Sequence, residues 1–147
     1  MDAIFLPYKN RVPHVSKVSE AMIAAGMISN DMEIKNDHIA FRTLGVPHLG
    51  IASLEKIFLH YGYEKRDAYH FEEKKLDAYW YAPPEEHYPR IFISELRVSD
   101  FSENVQKIIA RYAGGITMDP VDQLDFCLLY TSPSPRDATL SRMPSSA

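Results

Sequence analysis

Residues 90–98 read RIFISELRV. In an extended chain successive side chains point to opposite faces, so Ile91, Ile93 and Glu95 share one side and Phe92, Ser94 and Leu96 the other. This is the clearest strand in the sequence. Upstream of it, residues 63–71 and 75–81 read as two more strands, separated by a charged turn at 72–74 and closed by Pro83-Pro84. Before them, residues 51–61 (IASLEKIFLHY) set Ile51, Leu54, Ile57, Phe58 and Tyr61 at helical spacing, with Gly62 as a stop. Before that helix lies a short strand, residues 38–44 (HIAFRTL), ended by Gly45 and Pro47. Downstream, Asp100 or Ser102 caps a last helix through Tyr112, in which Val105, Ile108 and Ile109 are apolar and which Gly114-Gly115 stops. Two helices precede all of this, over 2–9 and 13–26. In the second, Val15, Val18, Met22, Ile23 and Met27 form an apolar stripe and Pro13 occupies the first turn. The expected fold class is therefore α+β: N-terminal helices followed by a βαβββ module. Such a module is a half-barrel whose curved sheet leaves a concave face open, and it normally works in pairs. No second copy of the pattern fits in the remaining residues, so the chain is expected to be truncated before a second module.

Composition changes abruptly at Cys127. The last stretch, CLLYTSPSPRDATLSRMPSSA (127–147), sets Pro133, Pro135 and Pro144 among serines, with no period of a strand or helix. Prolines break ladders and helices, and so little apolar area cannot offset the entropy of ordering. The segment also resembles a translated sequencing adapter. Codons for 127–137 spell the constant end of a transposase-type library adapter, and 140–147, after an index-sized gap in the same frame, resemble its flow-cell end. Residues 1–126 are therefore read as the protein and 127–147 as an artefactual, disordered tail. The alternative is a natural Ser/Pro-rich tail.

The 147 residues suffice for one domain with a modest core, and 46% hydrophobic and 24% charged residues describe an ordinary globular chain. A formal charge of −4 gives no clustered cationic surface for nucleic acid. No apolar run approaches the ~20 residues that cross a bilayer, and no secretory signal opens the chain. One cysteine excludes an intrachain disulfide framework, so a reducing cytoplasm is the default compartment.

The residues richest in chemistry are NDHIAFRT (36–43). On a strand His38, Ala40 and Arg42 share a face, with the imidazole and guanidinium positions roughly 13 Å apart and a small side chain between. An imidazole binds transition metals, and a guanidinium clamps a carboxylate through two parallel hydrogen bonds. By spacing alone the plainer reading is a half-exposed strand bearing two ordinary polar residues. Glu95, a carboxylate in an otherwise apolar strand, needs a partner: a metal, Arg42 or a lysine. A salt-bridged structural role explains it as well as a metal does. His14, His48, His60, His70 and His87 form no paired-ligand spacing and read as surface residues. Lys74-Lys75 reads as a solvated turn, and Tyr79, Trp80 and Tyr81 as residues packing the sheet. There is no phosphate loop, nucleophile elbow or zinc spacing.

IKNDHIAFRTLG (34–45), YGYEKRDAYHFEEKKLDAYWYAPP (61–84) and PRIFISELRV (89–98) together resemble the first half of the 2-oxoadipate dioxygenase/decarboxylase (hydroxyglutarate synthase) family. The resemblance covers essentially all of 1–126. It implies a vicinal-oxygen-chelate architecture and a non-haem Fe(II) site of two histidines and one carboxylate. It also implies conversion of 2-oxoadipate and dioxygen to 2-hydroxyglutarate and carbon dioxide, with a small 2-oxoacid and O2 as small-molecule partners. On this resemblance His38 matches a metal-binding histidine and Arg42 the arginine that binds a substrate carboxylate. The second histidine and the metal-binding glutamate would lie beyond the residues present. Glu95 would support the site from behind the ligands. The fragment by itself is expected to be inactive. A non-catalytic metabolite-binding module of the same fold is the alternative, distinguished by copurifying without stoichiometric iron. A related enzyme for another 2-oxoacid is distinguished by a panel of substrates.

Overall fold

The computed structural model describes residues 2–124, with side chains from Leu6 onward. The boundary placed after residue 126 and the tail 127–147 lie outside the described residues. Two helices open the chain, α1 (Asp2–Arg11) and α2 (Pro13–Ala24), with Pro13 in the first turn of the second. Gly26 leaves α2 at φ +68°, a conformation glycine takes without steric cost. A single 3-10 turn, Asp31–Glu33, follows. Asn30 caps it by accepting from the Met32 N–H, and Lys9 of α1 pairs with Asp31 at 2.7 Å. These two contacts fix the polar stretch between α2 and the first strand.

The module that follows is β1 (His38–Leu44), α3 (Ile51–His60), β2 (Glu64–Phe71), β3 (Leu76–Ala82), β4 (Arg90–Leu96) and α4 (Glu103–Ala113). The four strands form one sheet in the order β1-β4-β3-β2. β1 runs parallel to β4, while β3 is antiparallel to both β4 and β2. A register shift between Lys65 and Ala68 marks a bulge in β2. The β1–β4 register is locked by two buried side chains. Thr43 donates to the Ser94 carbonyl and Ser94 to the Phe41 carbonyl, each at 3.1 Å.

One face of this sheet carries the core. Ile91 and Ile93 of β4 and Tyr81 of β3 are fully buried against Ile51 and Phe58 of α3, with Tyr63 completing the cluster. The spacing of Ile51, Leu54, Ile57 and Phe58 is thus the seam by which α3 seats on the sheet. Tyr81 is apolar along its ring but ends in a hydroxyl, which donates to Glu55 at 2.6 Å. Burial and the Glu55 carboxylate both push that phenol far above its ordinary range. The first half of α3 is tied to the segment that enters a 3-10 turn, Val121–Gln123. Ser53 and Lys56 both bond Asp119 at 2.6 and 2.8 Å, and Lys56 also bonds Asp122 at 2.5 Å.

Several boundaries shift by one or two residues from the sequence reading, and near the end of the module two features have a visible cause. β4 ends at Leu96, because Val98–Asp100 closes into a 3-10 turn. Ser102, not Asp100, occupies the N-cap position of α4, without a side-chain cap bond, since Asp100 is drawn to Arg97 at 2.6 Å.

Candidate functional site

The face opposite α3 is open. Strand alternation puts His38, Ala40 and Arg42 of β1 on it, all three exposed, while Ile39, Phe41 and Thr43 turn toward the core. Parallel pairing aligns these residues with β4: His38 with Arg90, Ala40 with Phe92, Arg42 with Ser94. Trp80 pairs with Phe92 and continues the same face, as does Tyr69 through Ala78. A cleft of about 590 Å³ lies here, lined among others by His38, Ala40, Arg90, Phe92, Trp80 and Tyr69. His38 and Arg42 therefore stand on one side of the sheet, and the imidazole is not sealed in hydrocarbon.

The cleft wall is aromatic with polar fastenings. Tyr69 packs on Phe92 at 5.8 Å between centroids and stacks on Phe71 at 6.3 Å. The Trp80 indole N–H donates to Asp67 at 3.0 Å. His38 Nδ1 lies 3.2 Å from Asp37 Oδ2. An imidazole that gives its Nδ1 proton to a carboxylate keeps its Nε2 lone pair for a ligand outside. Arg42 makes no hydrogen bond or ion pair with another described residue, so its guanidinium remains available to an anion.

Several expectations need correction. Glu95 does not face His38 or Arg42. It lies on the α3 side of β4, paired across the sheet with Thr43 and Asp77, and accepts from the Ile51 backbone N–H at 2.7 Å. Its partner is thus the positive N-terminal end of α3, which offers unpaired N–H groups and a favourable dipole. Among the described residues neither Arg42 nor a lysine bonds it, and it stands on the opposite face from His38. Tyr79 and Tyr81 pack the core face as expected, with Lys65 over the Tyr79 ring at 3.8 Å, but Trp80 lines the cleft. Lys75 is more than a solvated turn residue. It adopts φ 51°, bonds the Asp100 carbonyl and lies over Phe101 at 4.5 Å.

His70 is exposed, as expected of a surface histidine, yet it sits in a network. Asp77 and Glu72 lie at 2.6 and 2.7 Å from its two ring nitrogens, and Arg97 approaches the ring as well. Glu72 foremost, then Asp77, raise it above its ordinary 6.5. Both ring nitrogens are engaged by this surface network. Arg90, Asp37, Phe92 and Tyr69 were not singled out as site residues. Alternation along RIFISELRV does group Phe92 with Arg90; what strand spacing lacks is the parallel register that sets Arg90 beside His38.

Among the described residues no three His, Cys, Asp or Glu side chains come together as a metal site. The fit to an iron centre is therefore partial: one well-presented imidazole, with further donors required from elsewhere. No helix among the described residues is long and apolar enough to cross a membrane.

A family model described as 2-oxoadipate dioxygenase/decarboxylase matches residues 1–126. The chloroplastic 2-oxoadipate dioxygenase/decarboxylase of Arabidopsis thaliana is 39% identical over 116 residues, a match that takes in 71% of this chain and 30% of the relative. The crystal structure of hydroxyglutarate synthase from Oryza sativa, in complex with 2-oxoadipate, superposes with a TM-score of 0.64 at 37% identity, covering 73% of this chain and 36% of that one. A glyoxalase-superfamily protein from Ralstonia eutropha gives a TM-score of 0.68 at 23% identity over 81% of this chain and 38% of its own, a likeness of fold alone. The vicinal-oxygen-chelate-like architecture holds. The chain spans about a third of the length of these relatives.

Proposed function

The chain belongs to the 2-oxoadipate dioxygenase/decarboxylase family, and from that premise we propose that residues 1–126 form the N-terminal part of a non-haem Fe(II) enzyme. Its substrate is a 2-oxo dicarboxylic acid, 2-oxoadipate, and its products are 2-hydroxyglutarate and carbon dioxide. The observation that carries this reading is the open aromatic cleft with His38 in it and Arg42 on the same face. Bound iron would supply open coordination positions for a 2-oxoacid and dioxygen. This chain's own share is more modest. Asp37 orients the His38 ring so that Nε2 points outward. Arg42 takes a substrate carboxylate, and Phe92, Trp80 and Tyr69 keep water from the methylene chain.

The remaining donors, a histidine and a carboxylate, are assigned to residues outside this chain. One imidazole does not hold iron firmly, so the 147-residue chain alone is inactive in this proposal. The proposed compartment is the cytoplasm; the Arabidopsis relative is designated chloroplastic. In the test, full-length protein carrying residues 1–126 takes up oxygen with 2-oxoadipate and ferrous iron, and His38→Ala abolishes that uptake. Uptake unchanged by His38→Ala would remove His38 from the site.

A further inference from the structure

Two guanidiniums stand on the open face. Arg42 is roughly 13 Å along β1 from His38 by strand rise. Arg90 is closer: it is the register partner of His38 on the neighbouring strand, with the backbones roughly 5 Å apart. Arg90 also lines the cleft beside His38 and Phe92. Its side chain is 61% exposed, and it pairs with Asp37 at 3.7 Å, too long for a hydrogen bond. An exposed pair of that length contributes little, so the fork of N–H donors stays available to an anion. Asp37 turns its other oxygen to His38 Nδ1. One carboxylate thus lies beside both an imidazole and a guanidinium, bonded to the first alone. Between the two arginines lie the small Ala40 and the aromatic wall of Phe92 and Trp80. Arg90 lines the cleft, Arg42 stands beyond its lining on the same face, and the one carboxylate of the wall between, Asp67, is engaged by the Trp80 N–H. Positive charge flanking a largely aromatic stretch suits a short anion with a carboxylate at each end.

We propose that Arg90 is a second carboxylate anchor, binding the end of the substrate that lies next to His38 while Arg42 holds the distal end. Arg90 then serves every acid that enters the cleft, and Arg42 only those with a second carboxylate. The substrate assignment rests on the function proposed above, but the binding step needs no iron.

The test titrates the isotope-labelled 147-residue chain with adipate and with hexanoate, reading the arginine Nε–H and histidine ring resonances. Both acids should shift Arg90 and His38 saturably, and adipate alone should shift Arg42. Arg90→Met should weaken both acids at least about tenfold. Arg90→Lys, which keeps the charge and loses the fork, should fall between. Arg42→Met should lower adipate to the level of hexanoate. An unchanged spectrum outside the cleft verifies that each variant is folded. The proposal is overturned if the wild type shows no saturable shift, if Arg90→Met binds as the wild type does, or if hexanoate shifts Arg42 in place of Arg90. The two readings fail separately in full-length protein. Absent oxygen uptake with Arg90 binding intact sinks the iron assignment alone. Uptake whose KM ignores Arg90→Lys sinks the anchor alone.

Discussion

Glu95 and Gly50 share one small space. A Cβ at Gly50 would overlap the Glu95 carboxylate, the far end of a movable side chain, so the clash is relieved only by giving up the bond to the Ile51 N–H. Gly50→Ala and Glu95→Gln should each cost about 1–2 kcal/mol, the range for a charge-assisted bond at a helix N-terminus. Because both weaken the same charge-assisted contact, the double variant should cost less than the sum of the two single ones in urea unfolding. Fully additive losses would show that the carboxylate does not anchor α3. Neighbouring residues differ in how far strand alternation alone could place them. Alternation put His38 and Arg42 together, and the structure agrees. It also put Glu95 with Ile91 and Ile93, but which face those residues occupy is decided by the helix packed on them. A carboxylate beside two buried isoleucines calls for a partner, which alternation alone leaves open between a metal, Arg42 and a lysine; the N-terminal end of α3 fills that place.

α3 is fastened at one end by Glu95 and along its length by Ser53 and Lys56 to Asp119. Lys56 first, then Ser53, hold the Asp119 carboxyl well below its ordinary 3.8, at about 2. A depressed folded value means that the stabilising contribution is present above the unfolded value and is lost as pH falls toward 2. Urea midpoints measured between about pH 5 and 2 should therefore fall more steeply for the wild type than for Asp119→Asn. Parallel curves would mean that the Lys56–Asp119 contact does not persist in solution. On the sheet side of the same helix, Ile93→Ala empties a fully buried position and should cost about 2–5 kcal/mol. The elements themselves were largely legible. Helical spacing in 51–61 and alternation in 90–98 reflect burial against each other, a strong local signal. The 3-10 turns at Asp31–Glu33, Val98–Asp100 and Val121–Gln123 carry no such periodicity, being set by single contacts such as Arg97 to Asp100.

The molecule presents two unlike faces, one covered by α3 and one bare. On the bare side Tyr69 and Phe71 are 43% and 36% exposed beside Phe92 and Trp80, and β1 and β2 are both edge strands. A contiguous aromatic patch between open edges favours association. Sedimentation should show mass rising with concentration and with salt, and a Tyr69→Lys/Phe71→Lys variant should remain monomeric. A wild-type chain that stays monomeric throughout would show that the face is adequately solvated as it stands. The strand order has a further consequence, in the timing of synthesis. β1 has one neighbour, β4, and its pairing from His38↔Arg90 to Leu44↔Leu96 cannot begin until β4 exists. A nascent chain therefore carries its histidine and arginine unplaced while α3 and the β2–β3 hairpin emerge. Closing so long a loop is slow relative to local structure. On the ribosome, the strand bearing the candidate site is among the first written and among the last to find its seat.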